Sequence, residues 1–561
     1  MEPRALARLL GTLLLAVTAL PAAALSFDDP GPADQLAQRI TQAMTDDELL
    51  GQVLFMGWQG VGPSKEILRW IAERGIGGIK IFPRNVADLP SLAGDIARMQ
   101  RLARRNRFAI PLFVATDQEG GWVRQIKDET SVSPGNLALG ASNMPIDAYR
   151  TGVYLGRELA ALGINMDFAP TADTYSNPEA SVIGPRSFGS DPATTGLLSA
   201  AYARGMQSAG VVTTAKHYPG HGSADSDSHG HLPKIDVTLD QLLNRDLVPY
   251  RILIREGIPA IMTGHLAFPR ILGNLTPSSL SPMLLEDVLR KQLGFQGLLI
   301  TDDMEMEGVL SGGLDTPQAC RAALAAGNNM VLISHTPSVQ EKTWTYLRAA
   351  MRTDARLRAD IVDSARRVLV TKLTYFRDAH APLIPDPAAV KTLVPAEGAR
   401  TFFFQSASRA VTLLAAARVP LRLTARSRVL LVGQYGEFLA EGLRRYPKAD
   451  TYLYPFSPFY SARPEDISAV RAKAQGYDTV IFCLANFNSL DVLKRLQPLG
   501  ERVIVISCLS PVYLADAPWL STVIAVYGDG PNSFRAGFAA LAGDFVPTGR
   551  LPVSFPGQGG P

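Results

Sequence analysis

GLLITDD, residues 297–303, is an unbroken apolar run that ends on two carboxylates. Other segments follow the same plan: QVLFM (52–56), GIGGIKIF (75–82), LFVAT (112–116), INMDFAP (164–170), VVTTAKH (211–217), IPAIMTGH (258–265) and NNMVLISH (328–335). Short apolar runs without strict alternation describe strands buried on both faces, as in a parallel sheet covered by helices. Helical stretches separate most of them. In 147–163 and 193–210, Leu and Ala recur at helical spacing, and Gly163 and Gly210 stand where such helices end. Strand and helix alternating in this way predicts a (β/α)8 barrel of the TIM type. A doubly wound open sheet competes with it, because periodicity does not show whether a sheet closes. The polar residues favour the ring. Asp117, Asp173, Lys216 with His217, His265, Asp302 with Asp303, and His335 all fall at the carboxyl ends of the runs. A barrel draws its site from many strand ends, an open sheet from the few beside a switch point.

Outward from the barrel, residues 378–395 are rich in Pro and Ala and lack amphipathic periodicity. Beyond them RVLLVG (428–433), TVIFCLA (479–485), RVIVISCLS (502–510) and STVIAVYG (521–528) mark a smaller α/β sandwich unit with a mainly parallel sheet. The expected division is a barrel over 27–380, a linker over 381–395 and the second unit over 396–561. A chain of 561 residues suits that count. At the other end, Arg4 and Arg8 precede an apolar stretch (9–20) and then Pro21-Ala22-Ala23-Ala24. This is the arrangement of a signal peptide, residues 1–24, cleaved near Ala24, with a periplasmic or extracellular destination.

Composition excludes several classes. With 55 Lys+Arg against 52 Asp+Glu, nothing draws the chain to nucleic acid or, beyond the signal peptide, to a membrane. The 47% apolar content is that of a folded chain. Cys320, Cys483 and Cys508 form no C-x-x-C pattern, which argues against a cysteine metal site. Cys483 and Cys508 read as core residues, with a bridge between them open if their strands are neighbours.

Four polar centres carry chemistry. KHYPGHGSADSDSHGHLP (216–233) holds four of the seven histidines, and its glycines suit a mobile loop at the rim. Asp227 and His229, two apart, form an acid/base dyad in which the carboxylate orients the imidazole. A metal reading finds no compact ligand spacing, and a solvated polar loop is the plain alternative. Asp302 and Asp303 follow a strand directly, where a rigid carboxylate can attack an electrophilic carbon. Neighbours at a strand end point to opposite sides, so one of the two faces the axis. Asp117 in VATDQEGGWVRQI and Arg186 in SVIGPRSFGSDP supply an acceptor and a donor for a polyol.

The segments DQEGG (117–121), GPRSF (184–188), KHYPGHG…DSH (216–229), MTGH (262–265) and ITDDMEM (300–306) resemble those of family 3 glycoside hydrolases, in the β-N-acetylhexosaminidase branch. GRLPVSFPG (549–557) is similar to the close of the second domain in two-domain members. The resemblance implies Asp302 as nucleophile, His229 as acid/base and Asp227 as its partner. It implies substrate contacts from Asp117, Arg186, Lys216, His217 and His265, and neither metal nor cofactor. The implied activity is retaining removal of terminal N-acetylglucosamine from a small glycan, either a peptidoglycan fragment or a chitooligosaccharide. A β-glucosidase, a glycoside phosphorylase and a glycan-binding protein on an inactive barrel are the alternatives. Three positions depart from the family pattern. Trp122 stands where Arg is usual, Ser223-Ala224 replaces a more polar pair, and Asn329 replaces an acidic residue. Trp122 could offer a stacking face to a second sugar.

Overall fold

Eight parallel strands close into a ring in chain order: β1 (Leu54–Met56), β2 (Gly78–Lys80), β3 (Phe113–Thr116), β4 (Met166–Asp167), β5 (Val212–Tyr218), β6 (Ala260–Thr263), β7 (Leu298–Asp303) and β8 (Met330–Ile333). β8 pairs with β1, Leu54 opposite Val331, and that contact shuts the barrel. The computed structural model describes residues 25–127, 129–224, 230–377, 382–456 and 462–554. All but β5 are shorter than their apolar runs, and nearly every residue in the strands is buried. Burial on both faces follows from the helical ring outside and the packed side chains within.

Helices Pro145–Ala161 and Pro192–Gln207 lie side by side on this ring, and two glycines set their approach. A Cβ on Gly152 would stand 2.1 Å from the Tyr202 carbonyl oxygen, and one on Gly205 would stand 1.9 Å from that of Tyr149. Only hydrogen fits between the backbones at those points.

The Pro- and Ala-rich stretch differs from a free linker. Val390 and Val394 are buried in the barrel core, and the helix Ala399–Ala410 continues it with Phe402 and Phe403. The Ala396 amide donates to Glu158 at 2.9 Å. Aromatic residues two and three turns past the prolines seek apolar cover, and the barrel flank supplies it. Ala407, on the same helix, packs into the second domain, so this helix joins both cores.

The second domain is a six-stranded sheet of β9 (Thr412–Ala416), β10 (Val429–Gly433), β11 (Asp450–Leu453), β12 (Thr479–Leu484), β13 (Val503–Ser507) and β14 (Thr522–Ala525). Its order is β9-β14-β13-β12-β10-β11, with β9 antiparallel to its neighbour and the rest parallel. Separate apolar layers cover its two faces, which makes a three-layer sandwich. β9 and β11 are edge strands with alternating or partial exposure, and neither was among the runs read from the sequence. Cys483 and Cys508 lie on the neighbouring β12 and β13 side, with sulfurs 3.6 Å apart and unbridged. Burial pushes the Cys508 thiol well up, which keeps it protonated and inert.

The two domains meet through Arg409, which forks onto Asp147 at 2.7 and 2.9 Å, and through backbone bonds from Ser190 to Pro552 and from Arg550 to Ala141, both 2.9 Å. Among the described residues no helix is long and apolar enough to cross a membrane.

Candidate active site

The carboxyl ends of β2, β3, β5 and β7 open into a cavity of about 330 Å³, whose lining residues all come from the barrel. That volume suits one sugar ring. Its floor is a chain of alternating charges. Lys80 on β2 reaches Asp117 at 2.9 Å, and Asp117 meets Lys216 on β5 at 2.6 Å. Lys216 also meets Glu119 at 2.7 Å, and Glu119 takes the Arg186 fork at 2.7 and 2.9 Å. Each member is buried or nearly so, and each has an opposite neighbour. Burial would raise the Glu119 carboxyl, but Arg186 and Lys216 outweigh it and hold the group at about 2. Asp117 is driven further down: burial opposes ionisation there too, and the Lys216 and Lys80 charges overcome it. Burial would lower Lys216, yet Asp117 and Glu119 push it up to about 12. Asp117, Glu119, Lys216 and Arg186 are therefore charged at neutral pH.

Asp173 organises the next side. It accepts from the His217 amide at 3.2 Å and the His221 amide at 2.7 Å, and its Oδ2 lies 2.8 Å from His217 Nδ1. Burial would raise this carboxyl, but the imidazole and the N–H donors hold it down. The other His217 nitrogen lies 3.3 Å from Arg186 Nη2. His217 and Lys216 thus belong to the end of β5, and not to a mobile loop. The chain beyond is also pinned. The Gly222 carbonyl accepts from Ser176 and Asn177, both at 3.1 Å, and a Cβ on Gly222 would stand 1.8 Å from the Thr174 carbonyl oxygen. Burial lowers His221 to about 4, so its ring is neutral, and its Nδ1 has no partner among the described residues.

At the end of β7 the two aspartates part, as adjacent strand residues must. Asp303 is buried and engaged: Ser334 donates to it, the Glu305 amide donates at 3.0 Å, and His335 Nε2 lies 3.3 Å away. Asp302 is partly exposed in the cavity, and among the described residues its only side-chain hydrogen bond is from the Asp303 amide at 2.8 Å. Burial would raise Asp302, but His217, His265 and Lys80 outweigh it and hold the carboxyl at about 2. It is an ionised, accessible carboxylate on a rigid strand, which is what a nucleophile requires.

Asp117, Arg186, Lys216, His217 and Asp302 therefore come together at one cavity. His265 does not line it. The ring is fully buried, with Nδ1 2.7 Å from Ser279 Oγ and Nε2 3.1 Å from the Asp303 carbonyl oxygen. A side chain with no exposed surface and both nitrogens engaged braces the end of β7 and does not reach the cavity. Asp227 and His229 lie outside the described residues. Lys80, Glu119 and His221 are site residues that the strand-end reading did not select, and Asp173, which it placed at a strand end, was given no role there. Lys80 sits two residues before the end of its run, inside GIGGIKIF, and a buried lysine in an apolar strand is the signal that marks it. Among the described residues no cluster of His, Cys, Asp and Glu has the geometry to hold a metal.

The family model described as "Glycosyl hydrolase family 3 N terminal domain" matches residues 44–371. A protein named Beta-hexosaminidase A from Pseudoalteromonas piscicida is 34% identical over 297 residues, 47% of this chain and 50% of that one. A Beta-hexosaminidase from Thiobacillus denitrificans is also 34% identical, over 52% of this chain and 80% of its own. The chain thus spans only half the length of the first of these relatives. Among solved structures, a family 3 β-N-acetylglucosaminidase from Paenibacillus sp. str. FPU-7 superposes with a TM-score of 0.82 at 28% identity. That superposition covers 91% of this chain and 99% of the other, so the likeness extends over both domains.

Proposed function

The chain belongs to glycoside hydrolase family 3, and on that premise we propose that it is an exported, retaining β-N-acetylhexosaminidase. It removes terminal N-acetylglucosamine from small glycans, peptidoglycan fragments or chitooligosaccharides. The observation that carries the reading is Asp302, an ionised carboxylate held in a sugar-sized cavity beside Lys80, Asp117, Arg186 and Lys216. The names of the relatives supply the sugar.

In the first step an Asp302 oxygen attacks the anomeric carbon, and the bond from that carbon to the leaving oxygen breaks. His229, oriented by Asp227, protonates that oxygen as it departs. In the second, His229 takes a proton from water, water attacks the same carbon, and the bond to Asp302 breaks. Two inversions give net retention. Asp117, Lys216 and Arg186 accept from and donate to the ring hydroxyls. Their mutual ion pairs fix their positions before substrate arrives, so little ordering remains to oppose binding. The basic start and apolar stretch of residues 1–24 support export.

A fluorinated N-acetylglucosaminide with a good leaving group, followed by peptide mapping, tests the mechanism. Label on the peptide carrying Asp302, together with loss of aryl β-N-acetylglucosaminide hydrolysis in Asp302→Ala, is the expected result. Undiminished turnover in that variant, or label on another residue, would sink the assignment. Turnover that survives chelator separates this reading from a metal hydrolase.

A further inference from the structure

At the opposite end of the barrel from Asp302, a cavity of about 520 Å³ opens between the helices Met283–Gln292, Thr316–Ala325 and Ala355–Phe376. Asn329, just before β8, lies in its wall. Its Oδ1 accepts from Arg290 Nη2 at 2.8 Å and from the Leu299 amide at 2.9 Å. Arg290 Nη1 donates to the carbonyl oxygens of Phe295 at 3.1 Å and Gly297 at 2.6 Å. All three acceptors are neutral, and Arg290 keeps only 8% of its surface exposed. An aspartate of the same shape at 329 would pair with this guanidinium, whereas asparagine brings a dipole and no charge. Burial lowers Arg290 to about 10, Arg367 adds to the push, and Glu286 and Asp363 offset it only in part. A charge buried this far ordinarily has a counter-charge beside it.

The other charged groups of the wall divide by their partners. Lys291 takes Asp287 at 2.7 Å, and Arg366 and Arg367 take Asp363 at 2.9 and 2.8 Å. Among the described residues neither Arg290 nor Arg356 has a carboxylate within 4 Å, and neither Glu286 nor Asp360 has a cation that close. Glu286 is seated over Gly327, where a Cβ would stand 2.3 Å from its Oε1. Burial raises the Asp360 carboxyl although Arg356 opposes it. Two unpaired guanidiniums call for negative charge, and two unpaired carboxylates call for a hydrogen-bond donor. Hydrogen phosphate supplies both, because it is a dianion that keeps a proton, and guanidinium forks match its oxygens. Sulfate has the same shape and charge but no proton to donate. We propose that this cavity binds a phosphate group, either the free ion or a small phosphomonoester whose own hydroxyls meet the carboxylates. The cavity shares no residue with the catalytic one, so the proposal stands apart from the hydrolase reading. Through Asn329 and Gly297 the bound group would brace the amino ends of β7 and β8.

The full chain is titrated with inorganic phosphate, glycerol 3-phosphate and sulfate by calorimetry, slightly above neutral pH and at matched ionic strength. The better of the two phosphates is expected to bind roughly tenfold or more tighter than sulfate, and which one it is names the source. Asn329→Asp gives Arg290 a counter-charge from within and is expected to weaken that ligand roughly tenfold or more. Arg356→Met, at an exposed position where folding is not at stake, is expected to weaken it about threefold or more. Phosphates bound no better than sulfate overturn the proposal. So does binding that both variants leave unchanged, which would put the ligand in the catalytic cavity beside Arg186 and Lys216. Thermal unfolding reads the same site without a titration. Ligand at about ten times its dissociation constant is expected to raise the wild-type melting temperature by about 2 °C, and that of Asn329→Asp by less than half as much. Equal rises in the two overturn the proposal.

Discussion

Glu119→Gln removes one charge from the cavity floor and keeps the shape of the side chain. In the native protein Glu119 faces Arg186 at 2.7 Å and Lys216 at 2.7 Å, and is almost wholly buried. Holding its carboxyl at about 2, against an ordinary 4.5, corresponds to about 3 kcal/mol at roughly 1.4 kcal/mol per tenfold change in proton affinity. Breaking a buried ion pair from one side costs about 3–5 kcal/mol in general, and the two figures agree. The sign follows from the depressed value: the stabilisation is fully present above pH 4.5 and is lost as pH falls toward 2. At pH 3 roughly 2 of the about 3 kcal/mol are gone, because the unfolded carboxyl is mostly protonated there and the folded one is not. Urea unfolding followed by tryptophan fluorescence reads the barrel, which holds Trp58, Trp70, Trp122 and Trp344. The variant is expected to be less stable than wild type by about 3 kcal/mol at pH 7, with the gap narrowing to roughly 1 at pH 3. A gap under about 1 kcal/mol at pH 7, or one that does not change with pH, refutes the reasoning.

Three further perturbations follow from the same structure. Lys80→Met takes away one of the charges that hold the Asp302 carboxyl down. That carboxyl then rises, and the acid limb of kcat/KM against pH moves to higher pH; an unmoved limb contradicts the assignment. Lys372 is fully buried, has Gln52 at 3.0 Å, and is pushed well below its ordinary range by burial alone. Lys372→Met is expected to be neutral or stabilising by about 1–2 kcal/mol at pH 7, read by thermal unfolding, since no buried anion loses a partner. Phe403→Ala empties a fully buried site in the barrel core from a helix beyond the expected linker. A loss of about 3–5 kcal/mol in barrel stability is expected, and hydrogen exchange in β2 and β3 would report it.

The eight strands were legible because each is buried on both faces, so apolar content alone marks it. GLLITDD and VVTTAKH needed no partner to be read. The wiring of the floor was another matter. Lys216 meets Asp117 across 99 residues of chain, and Arg186 meets Glu119 across 67. Periodicity assigns a face but gives no register between distant strands, so strand-end residues could be gathered without being paired. Glu119 was hidden for the same reason: in DQEGG it looks like any polar turn residue, and only the approach of two cations makes it structural. His265 shows the converse. Its place at a strand end is right, but a fully buried ring is distinguished from a cavity ring by side-chain direction, which sequence does not carry. Which of Asp302 and Asp303 is left without a side-chain partner depends on Ser334 and His335, which engage Asp303 and arrive from the next strand.

The alternating floor, Lys80, Asp117, Lys216, Glu119 and Arg186, also governs how this pocket could change over generations. Each link is compensated by the next, so a single exchange at any inner position strands an odd charge where water cannot reach it. Drift along the chain would have to proceed by double steps, a cation and an anion together. The apolar residues of the cavity wall, Phe82, Val123 and Met306 among them, carry no such coupling and tolerate substitution one residue at a time. The floor itself, three cations alternating with two anions, is held in place by its own pairing.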